Sequence, residues 1–277
     1  MRARAVPAFA SGPALVGSVA RRPTLWVEAG VVATWAALAI LPLLLAPAGA
    51  SGGGPAGPGG GALWVCTIAG HGIGSGGSGS PTSLSGQAAS LLAALPTLVL
   101  MAVATMVPTA LPAVRHVAVN SLYWRRRRAV AEFLAVFVAI WVAFSLLVLG
   151  ALGSWGPPDS PLSAAAVLAL AALWQLTPLK RRAMLACHRA KPLPPRGRRA
   201  TAGVVRFALH NGGACLLSCW AMMLTTAFVG LPQLLWMAAL TGLITAERLN
   251  LKPRRSARRV GAVLGAAAAV AAAVALA

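Results

Sequence analysis

The stretch from Gly203 to Met223 has the clearest capacity for chemistry, because it places sulfur groups inside a segment of membrane-spanning length. Cys215 and Cys219 are four residues apart, so on an α-helix they share one face, and Met222 or Met223 extends that face by one turn. Thiol and thioether sulfurs are soft donors that suit Cu(I) better than Zn(II), which prefers more thiolate or imidazole ligands. The alternative is a packing role, since Cys and Met also fill gaps between helices.

Two more side chains are candidates for the same site. Met106 lies in a segment that also holds Pro108 and Pro112, so we expect a kinked span, and such a span usually faces protein rather than lipid. His116 follows Pro112 by four residues and is either a ligand or a residue at the inner membrane surface. The predicted ligands of a Cu(I) site are therefore Cys215, Cys219, Met222, Met223, Met106 and His116.

The composition is that of a polytopic membrane protein. Of the 277 residues, 58% are hydrophobic and 10% are charged, and the mean hydropathy is +0.77. The 24 Lys and Arg residues greatly outnumber the 4 Asp and Glu residues, and they lie in short clusters between apolar segments. That pattern is typical of cytoplasmic loops beside anionic lipid and not of nucleic-acid binding. With so few carboxylates and neither HExxH nor GxSxG, we expect no enzyme.

The order of apolar segments predicts an all-α, polytopic transmembrane helix bundle of about seven spans, each requiring ~20 apolar residues. All basic clusters fall on one side if the N-terminus is inside and the C-terminus outside, which predicts a multi-pass protein of the inner (plasma) membrane. Residues 1–24 are predicted to be a basic cytoplasmic tail and residues 25–277 the bundle. Residues 47–87, which include Cys66 and His71, are predicted to be a flexible Gly/Ser/Pro-rich outer loop.

Two glutamates lie close to basic residues in the predicted spans. Glu247 is near the inner end of the sixth span, where an unpaired carboxylate costs free energy, so we expect it to pair with Arg206 or Arg248. Glu132 is expected to be a neighbour of the arginine run 125–128. An intramembrane carboxylate is often functional, so Glu247 also leaves open an ion-coupled transporter.

Several short motifs occur in a fixed order between Met101 and Arg248. They comprise Met106, Pro108 and Pro112; Trp174, Gln175, Pro178, Leu179 and Lys180; Cys187; Cys215, Cys219, Trp220, Ala221 and Met223; and Trp236, Met237, Glu247 and Arg248. On these residues the chain resembles the predicted metal-binding integral membrane proteins, a bacterial domain of unknown function often described as a copper chaperone. Ala183, Leu217 and Ser218 stand where that family has Cys, Gly and Cys. The resemblance implies a membrane-embedded helical fold and metal binding.

The function predicted from these observations is an integral membrane metal-binding protein that holds or transfers copper, as Cu(I), from the inner half of the bundle. Its expected partners are membrane lipid, the metal ion, and a soluble or membrane metalloprotein, with no nucleic acid. The alternatives are a structural or assembly subunit of a membrane complex, whose Gly, Pro and Cys residues serve helix packing, or the ion-coupled transporter.

Overall fold

The computed structural model describes residues 24–45, 84–155, 161–189, 192–194, 196–228, 233–249 and 253–276, and every regular element in these ranges is helical. The predicted all-α class is therefore confirmed for the described chain. Residues 1–23 of the predicted tail and 47–83 of the predicted loop, with Cys66 and His71, lie outside the described residues. The helices are α1 Leu25–Leu45, α2 Leu84–Asn120, α3 Arg126–Trp155, α4 Pro161–Leu176, α5 Pro178–Cys187, α6 Gly197–Leu224, α7 Gln233–Leu249 and α8 Pro253–Leu276.

Among the described residues, four helices are long and apolar enough to cross a membrane: Leu95–Asn120, Tyr123–Ala151, Gly197–Ala227 and Ala257–Leu276. A fifth results if α4 and α5 are counted as one broken span. The expected seven spans are not supported. Helix α7, for example, has 17 residues, fewer than the ~20 that a span needs, and it includes the charges of Glu247 and Arg248.

At Pro108, a side chain of α1 replaces the hydrogen bond that α2 loses. Pro108 has no N–H, so the carbonyl of Ala104, four residues earlier, loses its partner within the helix. The indole Nε1 of Trp35 on α1 donates to that carbonyl at 3.0 Å, and Ala104 is completely buried. The packing of α1 on α2 therefore depends on a backbone group that the proline exposes.

Replacing Trp35 with Phe is expected to lower the free energy of unfolding by about 1–3 kcal/mol, because the buried Ala104 carbonyl would lose its donor. Thermal or chemical unfolding in detergent micelles measures the change. The matched control is Trp26→Phe, since Trp26 lies on the same helix but is exposed and should change stability by less than about 0.5 kcal/mol. Equal losses in the two variants would contradict the role of the Trp35 hydrogen bond.

The break between α4 and α5 follows from the sequence Thr177-Pro178. The two helices meet at 68°, and the Trp174 carbonyl accepts from the Thr177 backbone N–H at 3.1 Å and from its hydroxyl at 2.8 Å. Thr177 then caps α5, with its Oγ1 accepting from the backbone N–H of Lys180 at 3.3 Å. One residue thus ends α4, begins α5 and places Lys180 in the first turn.

Close helix contacts hold α4 and α6 in the bundle. Helix α8 packs on α4 most extensively, and a Cβ at Gly261 would lie 3.3 Å from the Cβ of Gln175, so the small residue allows this approach. On the other side, Gly212 of α6 faces Ile140 of α3, where a Cβ would lie 2.6 Å from Cδ1. Gln175 on α4 and the central turns of α6 are therefore fixed in the interior.

Candidate metal centre

One face of α6 carries Cys215, Cys219 and Met222, which we call the thiol face. Their spacing of four and three residues aligns them along the helix, and each is at most 2% exposed. Both cysteines are free thiols, and they interact directly with each other. Ser218 supports them, because its hydroxyl donates to the Cys215 carbonyl at 2.8 Å and lies 3.2 Å from the Cys219 sulfur. The face therefore presents three sulfur atoms in a dry interior.

The structure separates the other predicted ligands. Met106 of α2 is buried in the same apolar cluster as the thiol face, whereas Met223 is half-buried at the edge of that cluster. The ring of His116 packs on Phe207 at a centroid distance of 5.3 Å. Phe207 precedes Cys215 by eight residues, about 12 Å along a helix, so His116 lies at another level of the bundle. Met222 therefore lies on the thiol face itself, and Met106 lies in the same buried cluster.

A chain of buried polar groups leads from α7 to the thiol face. The Lys180 ammonium donates to Glu247 Oε2 at 2.8 Å and also to the Gln175 side-chain carbonyl. The Gln175 amide donates in turn to the Met222 sulfur at 3.0 Å. Lys180 is 0% and Glu247 3% exposed, so this ion pair is shielded from solvent. We call Glu247, Lys180 and Gln175 the polar chain.

Glu247 was predicted to pair with a cation, which is confirmed, but both predicted partners were wrong. Arg206 is exposed on α6, and Arg248, the next residue, points about 100° away around α7. In the sequence, Lys180 stands out only as part of the family motif that begins at Trp174. The sequence feature that could have placed Lys180 inside the protein is Pro178. The helix break at this proline turns the first turn of α5, and Lys180 with it, into the interior. The expected pairing of Glu132 is confirmed by the nearby cations Arg125, at 3.1 Å, and Arg128, at 2.9 Å.

Arg248 occupies the space between α7, α5 and α2. Its Nη2 donates to the Cys187 sulfur at 3.3 Å and its Nη1 to the Thr109 carbonyl at 3.2 Å. Thr109 lies between Pro108 and Pro112 of α2, so this contact joins α7 to the proline-containing part of α2. The guanidinium also interacts electrostatically with Cys215 and Cys219. The sequence indicated Arg248 as a possible partner of Glu247 and as part of a family motif, but not as a neighbour of the thiols.

The donor atoms restrict the kind of ion that the site can hold. Within the described ranges, no three His, Cys, Asp or Glu side chains are grouped closely enough to share one metal ion. A tetrahedral Zn(II) site, which is built from four such ligands, has no counterpart there. Two thiols and a thioether are instead the soft donors that Cu(I) prefers, and Cu(I) does not require a fourth ligand.

The comparison with protein families gives one match. The family model described as PpoB2: Copper chaperone matches residues 97–271, which is more than half of the chain. This range includes the thiol face, the polar chain and Arg248. No curated protein and no solved structure matches the chain.

Proposed function

The chain belongs to the PpoB2 copper chaperone family, and from that premise we propose that it binds one Cu(I) at Cys215 and Cys219 and transfers the ion to a partner metalloprotein. Met222 supplies the third sulfur, and Met106 lies in the same buried cluster as a further thioether. The ion is cargo, so the activity is binding and release without a chemical reaction on a substrate.

The observation that carries this proposal is the burial of two neighbouring thiols beside a thioether. Buried sulfur atoms favour a soft ion over hydrated Zn(II) or Mg(II). Both cysteines are free thiols in the structure, so both sulfurs can serve as ligands. Packing alone would explain burial but does not require the charge of Arg248, which interacts electrostatically with both thiols.

The location that we propose is the plasma membrane, with the basic clusters on the cytoplasmic side. The apolar helices of suitable length support a multi-pass arrangement in lipid. A reducing cytoplasm would keep the thiols available for copper. The partner would be a soluble or membrane metalloprotein that exchanges Cu(I) with the thiol face.

Purified full-length protein under reducing conditions should bind about one Cu(I) per chain, because two thiolates and one thioether complete one site. Titration against a Cu(I) chelator measures the stoichiometry, and X-ray absorption should show sulfur as the ligand atom. A Cys66→Ser protein serves as the control, since it removes a thiol outside the described residues. Folded protein that retains no Cu(I) would instead support a structural subunit.

A further inference from the structure

Arg248 is a cation without a carboxylate partner among the described residues. The chain has 4 acidic residues, and the three that the structure describes pair with other cations. Those pairs are Glu28 with Arg115, Glu132 with Arg125 and Arg128, and Glu247 with Lys180. The hydrogen bonds of Arg248 reach a thiol and a backbone carbonyl, which are neutral acceptors. A half-buried guanidinium with only neutral partners is incompletely compensated.

The neighbouring charges do not provide this compensation. Lys180 and Glu247 neutralise each other, and Gln175, which completes the polar chain, is uncharged. Arg248 donates to the Cys187 sulfur at 3.3 Å, and its charge also interacts electrostatically with Cys215 and Cys219. The polar chain and Arg248, counted without the thiols, therefore have a net charge of one positive unit. An anion formed at the thiol face would remove this imbalance.

We propose that Arg248 makes the thiol face selective for monovalent soft ions over divalent ones. This inference rests on the proposed copper function and specifies its ion class. Cu(I) with two thiolates has a net charge of −1, which Arg248 balances. A divalent ion with two thiolates is neutral and would leave the guanidinium uncompensated. As the ion binds, each thiol loses one proton to solvent, and no electron is transferred.

A carboxylate placed beside Arg248 tests this charge balance while the arginine stays in place. In Cys187→Asp, the new carboxylate would occupy the position of the sulfur that lies 3.3 Å from Nη2 and would neutralise the guanidinium. The Cu(I) affinity should then fall on the order of tenfold to a hundredfold, while the Cd(II) affinity should not fall. Cys187→Ser, which adds no charge, should retain the wild-type affinities for both ions.

Two substitutions at Arg248 complete the test. Arg248→Gln should weaken Cu(I) binding relative to Cd(II) binding about as much as Cys187→Asp does. Unlike Cys187→Asp, it adds no carboxylate that could itself bind Cd(II). Arg248→Lys keeps the charge and should retain most of the preference for Cu(I). Chelator competition gives the Cu(I) affinity, and thiolate absorption bands give the Cd(II) affinity. Thermal unfolding identifies which variants are folded.

The outcomes separate this inference from the proposed function. Folded Cys187→Asp protein with wild-type Cu(I) affinity would overturn the role of Arg248, even if wild-type protein binds one Cu(I). If wild-type protein binds no Cu(I), the proposed function itself fails. A drop in Cu(I) affinity in Cys187→Asp that is absent in Cys187→Ser supports selectivity by charge.

Discussion

Replacing Lys180 with Met is expected to lower the free energy of unfolding by about 3–5 kcal/mol, the usual cost of removing one partner of a buried ion pair. Lys180 is completely buried, and its ammonium contacts both Glu247 and Gln175. The second carboxylate oxygen of Glu247 already has no hydrogen-bond partner among the described residues. Without Lys180, the buried carboxylate would therefore lose its compensating charge. Chemical unfolding in detergent micelles measures the loss.

The Lys180→Met/Glu247→Gln double variant should recover a large part of this loss, because it removes both charges together. The matched control is Arg182→Met, two residues further along α5, where the side chain is exposed and the change should stay below about 0.5 kcal/mol. If Lys180→Met and Arg182→Met lose the same stability, the buried pair does not have the role assigned to it.

The Cys215→Ser/Cys219→Ser variant is expected to bind about one Cu(I) fewer per chain than the wild type, since hydroxyl oxygen is a poor ligand for a soft ion. The two side chains are buried and adjacent on α6, so both sulfurs of the proposed site are removed with little change in volume. Copper per chain after chelator competition measures the difference. The helical content of both proteins must be equal for the comparison to hold.

Cys187→Ser is the matched control for the cysteine pair. Cys187 is half-buried at the end of α5 and hydrogen-bonded to Arg248, outside the thiol face. Its replacement should leave the Cu(I) stoichiometry unchanged. Equal copper in the wild type and the Cys215→Ser/Cys219→Ser variant, at equal stability, would defeat the metal site and favour a packing role.

The sequence was sufficient for the helical class and for the alignment of the two thiols. Apolar segments of span length can form only a few structures in lipid, and residues i and i+4 of a helix lie on the same face. The same reasoning did not distinguish Met222 from Met223. On a helix they lie about 60° and 40° to either side of Cys219, so the choice depends on what packs against α6. In the structure, Gln175 of α4 contacts Met222.

The polar chain could not be derived from local patterns. Pro178 indicates a helix break, but the direction of the 68° bend depends on the neighbouring helices. Lys180 therefore resembled a loop residue, although it pairs with Glu247, 67 residues later in the chain. Hydropathy likewise gave seven spans, whereas length and composition select four of the described helices, or five with the broken pair of α4 and α5.

The separation of Lys180 from Glu247 along the chain has a consequence for biosynthesis. At about 5–20 residues per second, the 67 residues between them require roughly 3–13 s of translation. Throughout that interval the lysine has no carboxylate from α7, so its ammonium must stay in contact with water or lipid headgroups, as long cationic side chains do at membrane surfaces. The first turn of α5 can therefore enter the interior only after α7 has been synthesised. Cys215 and Cys219 are also synthesised before Glu247 and Arg248, so the nascent chain carries both thiols before these two charges are present.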